Sequence, residues 1–259
     1  MPETAAPLAD LENLTMQILP GLNEIGGGIY AGDALSSPGG ILYELTLAAW
    51  ALGLVLVPMP GSTDLNGVVF DESFGAAVQT IYDNTASAAN TTGSMSDVAF
   101  SGEAAISTWA LMNANNPEIA IFLPLFLNDL VSGEAFLNEG GIVELQGDPQ
   151  EGWTLVSFNG TSIPQDPGLL TELFVDVRNL IEAPQFAAYN IYEALLTGDS
   201  TTIMTAIQDN FDNVGTAIFQ FPQSVITDII GALGDGTSAG GQVTGETLSD
   251  ALASLASLI

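Results

Sequence analysis

Ile41-Leu42-Tyr43-Glu44-Leu45-Thr46-Leu47-Ala48-Ala49-Trp50-Ala51-Leu52-Gly53-Leu54-Val55-Leu56-Val57 is the most hydrophobic run of the chain, and its reading decides the fold. A helix that crosses a bilayer needs ~20 apolar residues. This run offers 17, carries Glu44 in its first turn and stops at Pro58-Met59-Pro60. It therefore reads as a helix buried in protein, with membrane insertion as the alternative. No basic residue flanks it, so nothing would set an orientation across a membrane. As the one candidate span in the sequence, it also argues against a multi-span transporter.

The same shortage of cations governs the whole sequence. Of 259 residues 31 are acidic, Arg178 is the one basic side chain, and histidine and cysteine are missing. Ser-His-Asp triads, Cys-His pairs, thiolate nucleophiles, disulfides and ordinary zinc or haem sites are thereby excluded. Typical domains are ~25% charged, roughly half of that acidic, so the acid content is ordinary and the anomaly is the lost Lys and Arg. That pattern disfavours a salt-adapted surface, which would add carboxylates. Nucleic acid is excluded as a partner because nothing would neutralise its phosphates. Anionic headgroups and a P-loop fail for the same reason. Cations and basic proteins remain. With one cation available, most carboxylates are expected to be solvated, capped by backbone amides or bound to metal.

Outward from the central run, the pattern is helical. The start, Met1-Pro2-Glu3-Thr4-Ala5-Ala6-Pro7, has neither the basic nor the apolar region of a secretory signal. Leu8, Leu11, Leu14 and Ile18 predict an amphipathic helix over 7–19, ended by Pro20-Gly21. Residues 71–89 and 101–112 read as helices separated by a loop at 90–94. Asn115-Asn116-Pro117 opens another, which Pro124 kinks or restarts before Ser132-Gly133. Between 140 and 160 the period becomes two: Ile142 to Leu145 and Trp153 to Phe158 predict a hairpin around Gly147-Asp148-Pro149, closed by Asn159-Gly160. Further on, Pro184-Gln185 with Ile191, Ala194 and Leu195 recurs 38 residues later as Pro222-Gln223 with Ile229, Ala232 and Leu233. Gly198-Asp199 and Gly234-Asp235 follow as stops, so each unit predicts a helix that starts at its proline. Residues 237–245 read as a linker to a last helix striped by Leu248, Leu252, Leu255 and Ile259. The expected fold is mainly α, a helical bundle or stacked helical hairpins with a short β-hairpin near residues 141–159. Its expected divisions are an N-terminal helical half over 1–139, the hairpin over 140–160, a C-terminal helical half with the 38-residue repeat over 161–236, and the linker with the terminal helix over 237–259.

Ser37-Pro38-Gly39-Gly40-Ile41-Leu42, Ala183-Pro184-Gln185-Phe186 and Phe221-Pro222-Gln223-Ser224-Val225-Ile226 resemble the Ala, Gly, Asn and Pro-rich helical regions of exported mycobacterial envelope proteins, including parts of the Pro-Glu and Pro-Pro-Glu families. The resemblance covers the C-terminal 90 residues or so and the segment 37–58. Tyr189-Asn190-Ile191-Tyr192-Glu193 is similar to the Tyr-x-x-x-Asp/Glu export signal of that type, although the usual Trp-x-Gly companion is missing. The resemblance implies an exported protein of the cell envelope or extracellular space and implies nothing about catalysis.

Paired carboxylates are the acid-base chemistry that remains, as in Asp71 with Glu72, Asp209 with Asp212 and Glu139 with Glu144. A solvated face is the ordinary reading of each. Gly236-Thr237-Ser238-Ala239-Gly240 matches a nucleophile elbow but lacks the preceding strand and the histidine that would activate its serine. No cofactor is implied by any motif. Calcium is the more plausible ligand for these oxygen donors, with Asp64, Asn66, Asp71 and Glu72 as candidate ligands and Gly234-Asp235-Gly236-Thr237 as a poorer second candidate. The expected function is that of a non-enzymatic, exported cell-envelope structural or interaction protein, associating with a protein partner or with itself and not with nucleic acid. The alternatives are a cation-selective channel or membrane-associated subunit, with lipid contact through Ile41 to Val57, and a carboxylate-dependent glycan hydrolase.

Overall fold

A computed structural model describes residues 2–88, 96–132 and 136–238. Its elements in chain order are α1 (Pro2–Glu12), α2 (Pro38–Ala51), α3 (Gly67–Ala88), α4 (Glu103–Asn113), α5 (Ile119–Ser132), β1 (Val143–Asp148), β2 (Gly152–Phe158), β3 (Thr161–Ser162), α6 (Leu169–Thr197) and α7 (Ser200–Ser238). The fold is mainly α with one small antiparallel sheet, as the sequence predicts.

The decisive run does not form one rod. Ser37 Oγ accepts from Gly40 N at 3.2 Å and Pro38 opens α2, a standard N-terminus. The helix ends at Ala51, because Gly53 takes φ +88° and reverses the chain. Trp50, fully buried, donates Nε1 to Val57 O at 2.8 Å and ties the reversed strand back onto the helix. Leu47, Trp50 and Val55 are enclosed, whereas Leu42, Leu45, Leu52, Leu54 and Leu56 are exposed. No helix among the described residues is long and apolar enough to cross a membrane.

Two apolar clusters make the core. In the first, Trp50, Phe70, Phe74, Trp109 and Trp153 form a continuous aromatic row, with successive centroids 5.9, 5.8, 5.2 and 6.1 Å apart. The second gathers Ala114, Phe122, Leu137, Leu155, Phe158 and Ile163 between α5 and the sheet. Asn116, buried between them, replaces a neighbouring strand for β2. Its Oδ1 accepts from Leu155 N at 2.7 Å, and its Nδ2 donates to Leu155 O at 2.9 Å and to Pro164 O at 2.8 Å.

The predicted hairpin is present as β1 and β2. Asp148 Oδ1 accepts from Gln150 N and Glu151 N, both at 2.7 Å, and closes the turn. Asn159 and Gly160, at φ +50° and +78°, do more than close it. They turn the chain into β3, a second hairpin that the Asn-Gly signal permits.

Three helix boundaries correct the sequence reading. The first helix is Pro2–Glu12, not 7–19; it stops where Asn13 takes φ +53°, leaving Leu11, Leu14 and Ile18 exposed. Pro184 and Pro222 lie inside α6 and α7 instead of opening helices. The Gly198-Asp199 stop is as expected: Gly198 is a left-handed C-cap, and Asp199 Oδ2 accepts from Thr202 N at 2.7 Å to begin α7. Gly234-Asp235 falls within α7, so the two echoes of the repeat are not equivalent units. The loop at 90–94 and the terminal helix at 246–259 lie outside the described residues.

Candidate functional site

Of the four candidate calcium ligands, Asp64 and Asn66 lie just before α3 and Asp71 and Glu72 lie on it. Asp64 Oδ2 accepts from Gly26 N at 2.9 Å, bracing the loop before α2. Asn66 is buried and caps α3, its Oδ1 accepting from Val69 N at 3.1 Å. Asp71 Oδ1 accepts from Asn113 Nδ2 at 2.7 Å, deep between α3 and α4, and burial raises its pKa. Glu72, next along α3, is also raised, by burial first and by Asp71 and Glu193 beyond that. Among the described residues there is no group of three or more acidic side chains placed to hold a metal. Of the paired carboxylates, Asp209 and Asp212 are exposed on α7, and Glu144 accepts from Ser157 Oγ at 2.5 Å.

Arg178 is where the sequence reading falls shortest. The chain's one cation is a core residue, 3% exposed. Its Nη1 donates to Leu111 O at 2.8 Å and its Nη2 to Ala114 O at 3.1 Å, covering carbonyls that the end of α4 leaves open. Asp71 and Glu182 supply the opposing charge. Gly53 lies against the same stretch of α6; a Cβ there would stand 3.1 Å from Arg178 O. Gln185 completes the joint by donating to Gly53 O at 2.6 Å and accepting from Leu56 N at 3.0 Å. The C-terminal helices are thus fastened to the turn that ends α2.

The carboxylates also depart from the expectation that they stay solvated, capped or metal-bound. Capping accounts for Glu24, whose Oε1 takes Ile25 N at 2.8 Å and Ala105 N at 2.9 Å and so serves α4 in place of the side chain that Gly102 lacks. Others are made harder to ionise. Burial pushes Glu44 and Glu182 up to about 7 and Asp129 and Asp176 up to about 6. Asp228 on α7 adds to the rise at Asp176 on α6. Among the described residues Asp129 Oδ1, Asp176 Oδ2 and Glu182 Oε1 are buried without a hydrogen-bond partner.

One of these clusters borders a cavity of about 300 Å³. Leu47 and Ala48 of α2, Leu111 of α4, Phe122 and Phe126 of α5 and Phe174 of α6 line it, and the carboxyls of Glu44 and Glu103 are set in the same wall. Asp129, 4% exposed, interacts electrostatically with both. Glu103 Oε1 accepts from Leu137 N at 3.0 Å. Sequence reasoning passed over this group, although Glu44 and Asp129 each interrupt a long apolar run.

The other feature of the surface is α7. Its neighbour is α6, against which Asn210 and Val225 are buried. Met204, Phe211 and Ile218, at intervals of seven, followed by Ile226 and Ile230, form an uncovered apolar stripe, with Phe219 at its shoulder. Phe211 is 77% and Phe219 71% exposed. The charged side chains of α7 are all acidic.

The chain is 47% identical over 239 residues to the PE-PGRS family protein PE_PGRS11 of Mycobacterium tuberculosis, a match that takes in 90% of this chain and 38% of the relative. The chain thus spans well under half the length of the curated relative it matches. The resemblance to mycobacterial proteins of the Pro-Glu type extends across nearly the whole sequence instead of resting on a few phrases. No family model matches the chain, and no solved structure is similar to it.

Proposed function

We propose that the chain is a non-enzymatic, exported protein of the mycobacterial cell envelope that works by association, with the outer face of α7 as its docking surface. The supporting observation is the exposed stripe from Met204 to Ile230, on a helix whose main partner among the described residues is α6. Solvent-facing apolar area of this extent on a monomer marks an interaction site. Because every charged side chain of α7 is acidic, the favoured partner is an apolar helix face rimmed by lysine or arginine, since a second copy or an anionic membrane would set negative charge against negative charge. The similarity to a mycobacterial Pro-Glu type protein supports the envelope assignment.

Sedimentation of the whole chain with a synthetic amphipathic Leu/Lys helix, a Leu/Glu helix of equal length and anionic vesicles tests this reading. The Leu/Lys peptide should bind, less tightly as salt is added, and F211S/F219S should abolish binding while leaving helicity unchanged. Equal binding of the Leu/Glu peptide, self-association at low salt or capture by vesicles would overturn the choice of partner. Recovery of the chain wholly from the cytosol of its host would overturn the localisation.

A further inference from the structure

We propose that the cavity between α2, α4, α5 and α6 is a binding site for a single-chain amphiphile with a cationic head, an alkylammonium being its simplest form. Two independent features meet there. The walls contributed by Leu47, Ala48, Leu111, Phe122, Phe126 and Phe174 are hydrocarbon, and the space of about 300 Å³ is of the size that takes a small-molecule ligand. The charged residues of the wall are both acids, Glu44 and Glu103, accompanied by the hydroxyl side chains of Ser107 and Thr108; Asp129, almost wholly buried and outside the lining, interacts with both acids.

The choice of head group follows from charge. Glu24, Glu103 and Asp129 are the charged groups that act on Glu44, from the loop before α2, from α4 and from α5, and Tyr43 is the neutral titratable group beside them. All three are acids, and Arg178, the chain's one cation, is engaged with Leu111 O and Ala114 O. Among the described residues Asp129 Oδ1 has no hydrogen-bond donor. An ammonium in the cavity supplies hydrogen-bond donors to Glu44 and Glu103 and the positive charge that all the acids lack, while its alkyl tail occupies the apolar part. A carboxylate or phosphate head would add a further negative charge to three acids. Ionisation of Glu44 and Asp129 strengthens attraction for the cation, so affinity rises as pH passes through the range in which these carboxyls lose their protons.

Calorimetric titration of the whole chain with dodecylamine, below its micelle concentration, tests the assignment at about pH 5.5 and about pH 8, where an alkylammonium remains charged. One dodecylammonium per chain is expected, bound about tenfold or more tightly at the higher pH, the scale of one charge-assisted hydrogen bond. Dodecanoate and butylamine should show no binding at the same concentrations, and dodecanol should bind more weakly. E44Q should lose about tenfold and flatten the pH dependence. A48F, which fills the cavity, should abolish binding with helicity retained, and D209N/D212N on α7 should change nothing. Dodecanoate or dodecanol binding as well as dodecylamine, several weak sites per chain, or a loss in D209N/D212N equal to that in E44Q would each overturn the proposal.

Discussion

Glu182→Gln sets burial directly against the attraction of the chain's only cation. Burial is the largest influence on Glu182, and it outweighs Arg178, which pulls the other way, with Asp71 adding to the rise; the carboxyl moves from an ordinary 4.5 to about 7. The native state therefore holds this proton more tightly than the unfolded chain does. Below about pH 4.5 both states are protonated and the contribution to stability is complete. It is lost as pH rises toward 7, at 1.36 kcal/mol per unit of pKa difference, or about 3 kcal/mol in all. Glutamine keeps the shape and removes the ionisation. E182Q should be close to wild type near pH 4.5 and more stable near pH 8 by up to about 3 kcal/mol, a rise of roughly 6–12 °C in Tm for a chain of this size. Thermal melts followed by circular dichroism at the two pH values provide the measurement. A lower Tm for E182Q at pH 8 would show that the carboxylate is ionised beside Arg178 and stabilising, and the burial argument would fail.

Arg178→Met should cost on the order of 3–5 kcal/mol in urea unfolding, because it strips the donors from Leu111 O and Ala114 O and removes the cation that acts on Asp71. Trypsin should leave the native chain intact, since its one basic site is 3% exposed, and should cut the denatured chain into two fragments; rapid native cleavage would place Arg178 at the surface. Asn116→Ala should lower stability by on the order of 3 kcal/mol, since Leu155 N and Pro164 O lose the carboxamide as partner and Leu155 O is left to Gln165 Nε2; a change below about 1 kcal/mol would mean that water replaces the carboxamide.

Local signals were legible in the sequence where local chemistry decides the outcome. The Ser37-Pro38 start of α2, the turn at Asp148 and the Gly198-Asp199 junction are each written in two or three residues, and each is where those residues place it. Pro184 and Pro222 show the limit of that reading. Proline favours a helix start in isolation, but the paired α6 and α7 bury enough of one another to carry a proline in mid-helix. The stripe of Leu8, Leu11, Leu14 and Ile18 misled for a related reason. Periodicity alone supports no helix without a surface to cover it, and in this fold only Ala9 of that region is buried. The cavity acids and the Arg178 joint were out of reach because they join side chains far apart in sequence, such as Arg178 with Leu111 and Glu44 with Asp129.

The use of the single cation shows how a chain without lysine reaches a stable helical fold. No helix end here has a basic residue in its last turn among those for which termini are described, so the negative end of each helix dipole must be answered otherwise. α6 ends on a left-handed glycine, and α2 turns sharply at Gly53. α4 ends inside the protein, where water cannot reach its carbonyls, and Arg178 is placed there. The formal charge of −30 also overstates the repulsion that the native state bears near neutrality. Glu44 and Glu182 are close to half-titration at pH 7, and the proton each retains removes a charge at a place where burial makes that charge most expensive. The same retained protons make stability fall as pH rises from about 4.5 toward 7, opposite to the behaviour of a protein whose carboxylates are held ionised by lysine and arginine. Supplying cations at the surface would not reverse that trend, because the groups responsible lie beneath it; replacing the buried acids by their amides would.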